Sequence, residues 1–199
     1  MTQTLVLASA SAIRRTILEN AGLTVIVDPA HIDEGAVKAE LRSQQMPVEA
    51  VAIELAVRKA MSVAARHPGA LVIGADQMLE AGGEWLDKPA DLAAARRQLA
   101  ALAGRTHRLV SGLAVIENDV ELWRIADSVT LHMRLLTQPF IDRYLGRVGT
   151  AALASVGAYQ LEGLGAQLFT RIDGDYFTVL GLPLLPLLAF LRERGVIAQ

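Results

Sequence analysis

Short apolar runs, each closed by Gly, Pro, Asp or Ser, alternate along this chain with longer stretches whose apolar residues recur at helical spacing. Residues 4–8 (TLVLA) predict a short buried strand. Ser9-Ala10-Ser11 then supplies helix-capping chemistry, and the spacing predicts a helix to Asn20, stopped by Gly22. A second strand is expected at 24–27. From it Asp28-Pro29 leads into a polar loop carrying Asp33 and Glu34. Pro47 opens a long helix with Val51, Leu55 and Val63 on one face and Lys59 on its later turns, and Pro68-Gly69 ends it. Residues 71–74 predict a third strand, finishing at Ala75-Asp76-Gln77.

The second half is richer in long alternating runs. A hairpin is expected around Gly82-Gly83, followed by Asp87-Lys88-Pro89, and Asp91 caps an alanine-rich helix that ends near Gly104. Two long strands, 107–116 and 120–134, flank a Glu117-Asn118-Asp119 turn, and Thr137 begins a helix through Arg147. A glycine-rich segment at 157–165 precedes a strand at 168–172 and a Gly174-Asp175 turn. Residues 176–191 predict a buried strand feeding a last helix from Leu184. Helices alternating with strands early, and an antiparallel pair in the middle, imply an α/β fold with a mixed sheet flanked by helices. No internal repeat, low-complexity tract or long linker divides the chain, so a single domain over 1–199 is expected.

Composition narrows the function classes. The formal charge is −2, which gives no global field toward nucleic acid or an anionic membrane. The Arg14-Arg15 and Arg96-Arg97 pairs have no aromatic stacking residues interleaved with them. The most apolar stretch, 176–191, is interrupted by Gly181, Pro183 and Pro186 and is shorter than the roughly 20 residues of a spanning helix. The N-terminal apolar run lacks a preceding positive region and breaks into Arg14-Arg15, so a signal peptide is not expected. With no cysteine, disulfides, thiolate nucleophiles, cysteine–zinc sites and iron–sulfur clusters are excluded, and a cytoplasmic location is expected. His31, His67, His107 and His132 show no metal-ligand spacing.

Three groups of residues carry candidate chemistry. Ser9 and Ser11 with Arg14 stand at a strand-to-helix junction, where free backbone N–H groups and the helix dipole favour an anion and an arginine adds a bidentate phosphate contact. The same residues also suit an ordinary helix cap with a solvated face. Neither a Walker loop nor a dinucleotide-binding glycine fingerprint occurs. Glu34, Lys59, Asp76 and Lys88 form a second set: carboxylates suit magnesium or manganese, and lysines offset phosphate charge. Taken alone, and separated in sequence, they read as separate surface ion pairs. The third group is the glycine-rich 157–165 with its single carboxylate, Glu162, which is either a plain loop or a tight wall for a flat ligand.

Taken together and in order, these pieces resemble the Maf family of nucleotide pyrophosphatases. LASASAIRR at the N-terminus is similar to that family's Leu-Ala-Ser-x-Ser-Pro-x-Arg signature, with Ala12 in place of the proline. Ile32-Asp33-Glu34, Leu55-Ala56 with Lys59-Ala60, Val72-Ile73-Gly74-Ala75-Asp76-Gln77, Lys88-Pro89 and Leu102-Ala103-Gly104-Arg105-Thr106-His107 follow in register. Gly157-Ala158-Tyr159, Glu162-Gly163-Leu164-Gly165, Gly174-Asp175-Tyr176 and Val179-Leu180-Gly181-Leu182-Pro183-Leu184 complete the match. The resemblance implies a two-lobed α/β fold with a central cleft, of the Maf/inosine-triphosphatase kind, in many members a homodimer. It implies hydrolysis of a nucleoside triphosphate to the monophosphate and pyrophosphate with a divalent cation, Mg2+ or Mn2+. On that match Asp76 is the general base or metal-linked carboxylate, and Glu34 joins it at the metal. On the same match Ser9, Arg14, Lys59 and Lys88 would hold the phosphates, and Ser11 is a further substrate-binding candidate.

Three positions separate types within the family. The dTTP/UTP type has arginine, threonine and glutamine where this chain has Ile13, Gln77 and Glu162. Gln77 and Glu162 instead match the 7-methyl-GTP type, whose first position is a tryptophan; Ile13 departs from both. An ionised carboxylate only accepts hydrogen bonds, and guanine's Watson–Crick edge offers two adjacent N–H donors, so Glu162 points to a guanine-like base. The rival readings are a dTTP/UTP pyrophosphatase of the same family and a non-catalytic nucleotide-binding regulator of cell division. No nucleic-acid or membrane partner is expected.

Overall fold

A computed structural model describes residues 3–198. Seven strands form one mixed sheet: β1 (Leu5–Leu7), β2 (Val25–Val27), β3 (Leu71–Ala81), β4 (Glu84–Leu86), β5 (Thr106–Glu117), β6 (Val120–Met133) and β7 (Phe169–Asp173). Their order is β2-β1-β3-β5-β6-β7, with β4 paired to β3 off that path. β1 runs parallel to both β2 and β3, whereas β4 pairs antiparallel with β3 and β7 antiparallel with β6. The helices are α1 (Ala12–Asn20), α2 (Glu34–Ser43), α3 (Val48–Ala64), α4 (Leu92–Leu102), α5 (Gln138–Val148), α6 (Tyr176–Val179) and α7 (Leu184–Glu193). Among the described residues no helix is long and apolar enough to cross a membrane.

The chain divides into two compact units. The first comprises the residues up to Asp76, then Ser111–Asp127, and those from Gly181 on. One of its clusters joins Val6, Val72 and Ile116 of the strands to Ala60, Val63 and Ala64 of α3. α3 can lie this close because it meets two glycines. A Cβ on Gly74 would run into the Ala56 carbonyl oxygen, and one on Gly112 into the Ala52 carbonyl. Ala52, Ala56 and Ala60, four residues apart, are therefore a small-residue seam pressed directly on strand backbone.

The second unit comprises Gln77–Val110 and Ser128–Leu180. Its core gathers Leu79, Leu99, Leu109, Leu131, Ile141, Tyr144, Tyr159 and Leu168. Asp91 caps α4 through a 2.6 Å bond from the Ala94 N–H, as its position before the alanine-rich run predicts.

Three local expectations are corrected. The polar loop expected at Glu34 is the first residue of α2: Asp33 accepts the Ala36 N–H at 2.9 Å, and Val37 and Leu41 bury one narrow face. The third strand does not end at Asp76 but continues to Ala81, because Leu79 and Glu80 pair with Leu86 and Trp85 across the Gly82-Gly83 turn. Residues 176–179 form a helical turn rather than a strand. Asp175 accepts the Thr178 N–H at 3.0 Å, and this cap overrides the strand preference of Tyr176 and Phe177.

Candidate functional site

The first unit brings Glu34, Lys59 and Asp76 into one cluster. The Lys59 ammonium lies 2.5 Å from Asp76 Oδ1 and 2.7 Å from Glu34 Oε1. Those two carboxylate oxygens are thus no farther apart than the two bonds laid end to end. Each element supplies its residue for a physical reason. Lys59 is on the buried side of α3 between Ala56 and Ala60, which are seated on Gly74, two residues before Asp76 on the same strand. Glu34 opens α2, where a carboxylate is favoured by the helix dipole.

Burial sets the electrostatics. Asp76 is 4% exposed and Lys59 9%, while Glu34 is solvent-facing. A charge that deep is tolerated only when it is paired, and Lys59 supplies the pairing. Asp76 Oδ2 is also buried and has no hydrogen-bond partner among the described residues. An orphaned carboxylate oxygen is costly, and it marks a place where water, a cation or a ligand atom completes the bonding.

Arg14 and Ser9 are joined beside the same strand. Arg14 Nε donates to the Gly181 carbonyl at 2.8 Å, and Nη1 donates to the Ala75 carbonyl at 2.8 Å and to Ser9 Oγ at 3.1 Å. Arg14 Nη2 has no hydrogen-bond acceptor among the described residues. Burial lowers the Arg14 pKa and the charges of Asp76 and Glu34 oppose that, so this guanidinium shares the field of the acidic pair. Ser9 Oγ also accepts the Ser11 N–H at 3.3 Å. With both lone pairs occupied, its O–H is left to donate to another acceptor. Ser11 is the cap of α1, accepting the Arg14 N–H at 3.5 Å, and Ile13 is half-buried on the first turn.

The remaining predicted residues belong to the second unit. Lys88 is exposed in the segment after β4 and pairs with no carboxylate among the described residues. Nearby, Gln98 donates to the Asp87 carbonyl at 2.8 Å and so fixes the backbone just before Lys88. Gln77 directs its amide N–H groups to the Thr178 and Val179 carbonyls, both at 3.0 Å, at the end of α6. Glu162 is exposed in the turn before a short 3-10 stretch, Leu164–Leu168. Among the described residues no group of three or more His, Cys, Asp or Glu side chains is placed to hold a metal ion.

Sequence reasoning missed the two glycines that seat α3. Their signal was present, since a glycine inside a strand pattern marks close backbone approach. Gln98 left no such signal, because a glutamine on an alanine-rich helix reads as a solvated position.

The family model described as "Maf-like protein" matches residues 4–194. A 7-methyl-GTP pyrophosphatase of Mesorhizobium japonicum is 52% identical over 197 residues, covering 99% of each chain. A protein of the same description from Rhizobium johnstonii is 53% identical over 197 residues, again covering 99% of each. A nucleoside triphosphate pyrophosphatase of Paramagnetospirillum magneticum is 51% identical over 189 residues, covering 95% of this chain and 97% of its own. With a family match across nearly the whole chain and relatives above half identity, the chain belongs to the Maf family.

Proposed function

We propose that this chain hydrolyses a nucleoside triphosphate to the monophosphate and pyrophosphate, and that its base is guanine-like, with 7-methylguanine among the candidates. The observation that carries the reaction is the buried Asp76, held by Lys59 at 2.5 Å with its second oxygen unpartnered. Water attacks the α-phosphorus and the bond to the bridging oxygen of the β-phosphate breaks. Asp76 takes the water's proton as general base. Lys59, the Nη2 edge of Arg14 and the O–H of Ser9 are donors suited to phosphate oxygens. They offset the charge that builds on the departing pyrophosphate. In this reading Lys88, which resembles the lysine of the family's motif, is a further phosphate contact.

A divalent cation fits the acidic pair. Magnesium takes one or two carboxylates together with substrate phosphates, and Asp76, whose Oδ2 has no partner among the described residues, and Glu34 would be those carboxylates. Bound there, it would supply Lewis-acid charge to the phosphate oxygens.

The base assignment rests on Glu162 and on the names of the relatives. A carboxylate matches two adjacent N–H donors and mismatches the acceptor–donor–acceptor edge of uracil or thymine. Leaving polar groups unmatched costs large factors in discrimination. The test is a competition among GTP, 7-methyl-GTP, UTP and dTTP. Fastest turnover of a guanine nucleotide supports the reading; fastest turnover of UTP or dTTP keeps the reaction and refutes the base assignment.

A further inference from the structure

The segment carrying Glu162 is built with little conformational freedom. Gly157 and Ala158 both have left-handed backbone, with φ of 77° and 62°. A Cβ on Gly157 would lie 2.6 Å from Tyr159 Cε1 and 2.7 Å from Leu79 Cδ1, so the first position requires glycine. Ala158 has a Cβ and adopts the conformation nonetheless. Such backbone persists only where the surroundings hold it.

Three buried side chains do the holding. The Tyr144 hydroxyl donates to the Ala158 carbonyl at 3.2 Å. One residue on, the Tyr159 hydroxyl lies 2.7 Å from His107 Nε2, and its ring packs edge-on against Phe169. Tyr144, Tyr159 and His107 are 5%, 4% and 2% exposed. His107 Nδ1 has no partner among the described residues, which leaves the Tyr159 contact as the ring's anchoring bond. On the far side of Glu162 the Gly163 N–H bonds the Gln160 carbonyl at 3.2 Å, and Gly165 presses on the Gln160 backbone. Glu162 itself is exposed and makes no side-chain hydrogen bond among the described residues. Its charge nevertheless reaches Tyr144: burial first, and Glu162 second, push that phenol up to about 12. The phenol is therefore a fixed donor at every working pH.

We infer that Tyr144 and the His107–Tyr159 pair are positioning residues for base selection. They fix the backbone on one side of Glu162 and so restrict how its carboxylate meets the base, without touching the nucleotide themselves. The inference rests on the reading of Glu162 given above.

Tyr144→Phe removes one oxygen and keeps the ring. Steady-state kinetics with GTP and UTP should show the GTP:UTP ratio of kcat/KM falling about three- to tenfold, the worth of one hydrogen bond, with the change in KM and little change in kcat for GTP. Tyr159→Phe should move the ratio the same way. In a Glu162→Gln background Tyr144→Phe should add nothing, because the residue it positions no longer discriminates. A lower melting temperature with an unchanged ratio in both Tyr→Phe variants would overturn the inference and reduce these residues to packing. If Glu162→Gln itself leaves the ratio unmoved, the base assignment fails and this inference with it. The two failures are told apart by that single variant.

Discussion

Gly74→Ala is a one-carbon test of how the site is assembled. The added Cβ falls on the Ala56 carbonyl oxygen and 2.9 Å from Ala60 Cβ. The obstacle is helix backbone, so no side-chain rotation relieves it, and α3 must retreat from β3 by about 1 Å. Overpacking of this kind costs about 1–3 kcal/mol, and a rigid neighbour places Gly74→Ala near the top of that range. The stiffer unfolded chain returns roughly 0.4–1 kcal/mol, which leaves a net loss of about 2 kcal/mol. For a chain of this length that lowers the melting temperature by roughly 4–8 °C. Lys59 precedes Ala60 on the same helix, so its 2.5 and 2.7 Å contacts to Asp76 and Glu34 lengthen together. A displacement of ~1 Å at a reacting centre can cost about a hundredfold in rate. The assay pairs a thermal melt with initial rates on a nucleoside triphosphate. A variant that melts with the wild type and keeps its kcat would refute the seating of α3 on Gly74.

Gly146→Ala is the opposite case: it is helical, its Cβ meets nothing within 4 Å, and the variant should gain about 0.5–1 kcal/mol in the same melt. Lys59→Met leaves the buried Asp76 without its cation and should cost about 3 kcal/mol by denaturant titration, with part recovered when Asp76→Asn is added. His107 gives a pH signature. Burial first, and His132 second, push its imidazole from 6.5 down to about 4. The unfolded chain therefore binds a proton that the folded chain refuses, and stability falls as pH drops from 6.5 toward 4. That contribution is on the order of 3 kcal/mol, and His107→Gln should flatten the slope in melts across the window.

Much of this was legible in the chain because it is local. Asp91 before an alanine-rich run, Gly82-Gly83 between strands and the Glu117-Asn118-Asp119 turn each specify their structure within a few residues. The grouping of Glu34, Lys59 and Asp76 was not local. Their separation in sequence is equally compatible with three surface pairs, and only the family motifs put them together in advance. The length of β3 is hidden in the sequence because the polar pair Asp76-Gln77 resembles a strand end. In the fold Asp76 pairs through one oxygen with Lys59 and Gln77 donates to two carbonyls, so the strand continues through them. Helix α2 escapes the sequence pattern because only Val37 and Leu41 of its ten residues are buried, too narrow a stripe to declare a period. The roles of His107 and Tyr144 depend on partners 52 and 14 residues away, and no residue pattern announces such pairs.

The central claim is that Asp76 drives water onto a nucleoside triphosphate. Wild type and Asp76→Asn should be incubated side by side with GTP, 7-methyl-GTP, UTP and dTTP in magnesium or manganese, and the products separated by ion exchange. The account predicts equal amounts of monophosphate and pyrophosphate from the wild type. It also predicts a loss of about 10²–10⁴-fold in Asp76→Asn, with nucleotide affinity largely kept. Comparable turnover by Asp76→Asn, or no triphosphate hydrolysed by the wild type, would contradict it.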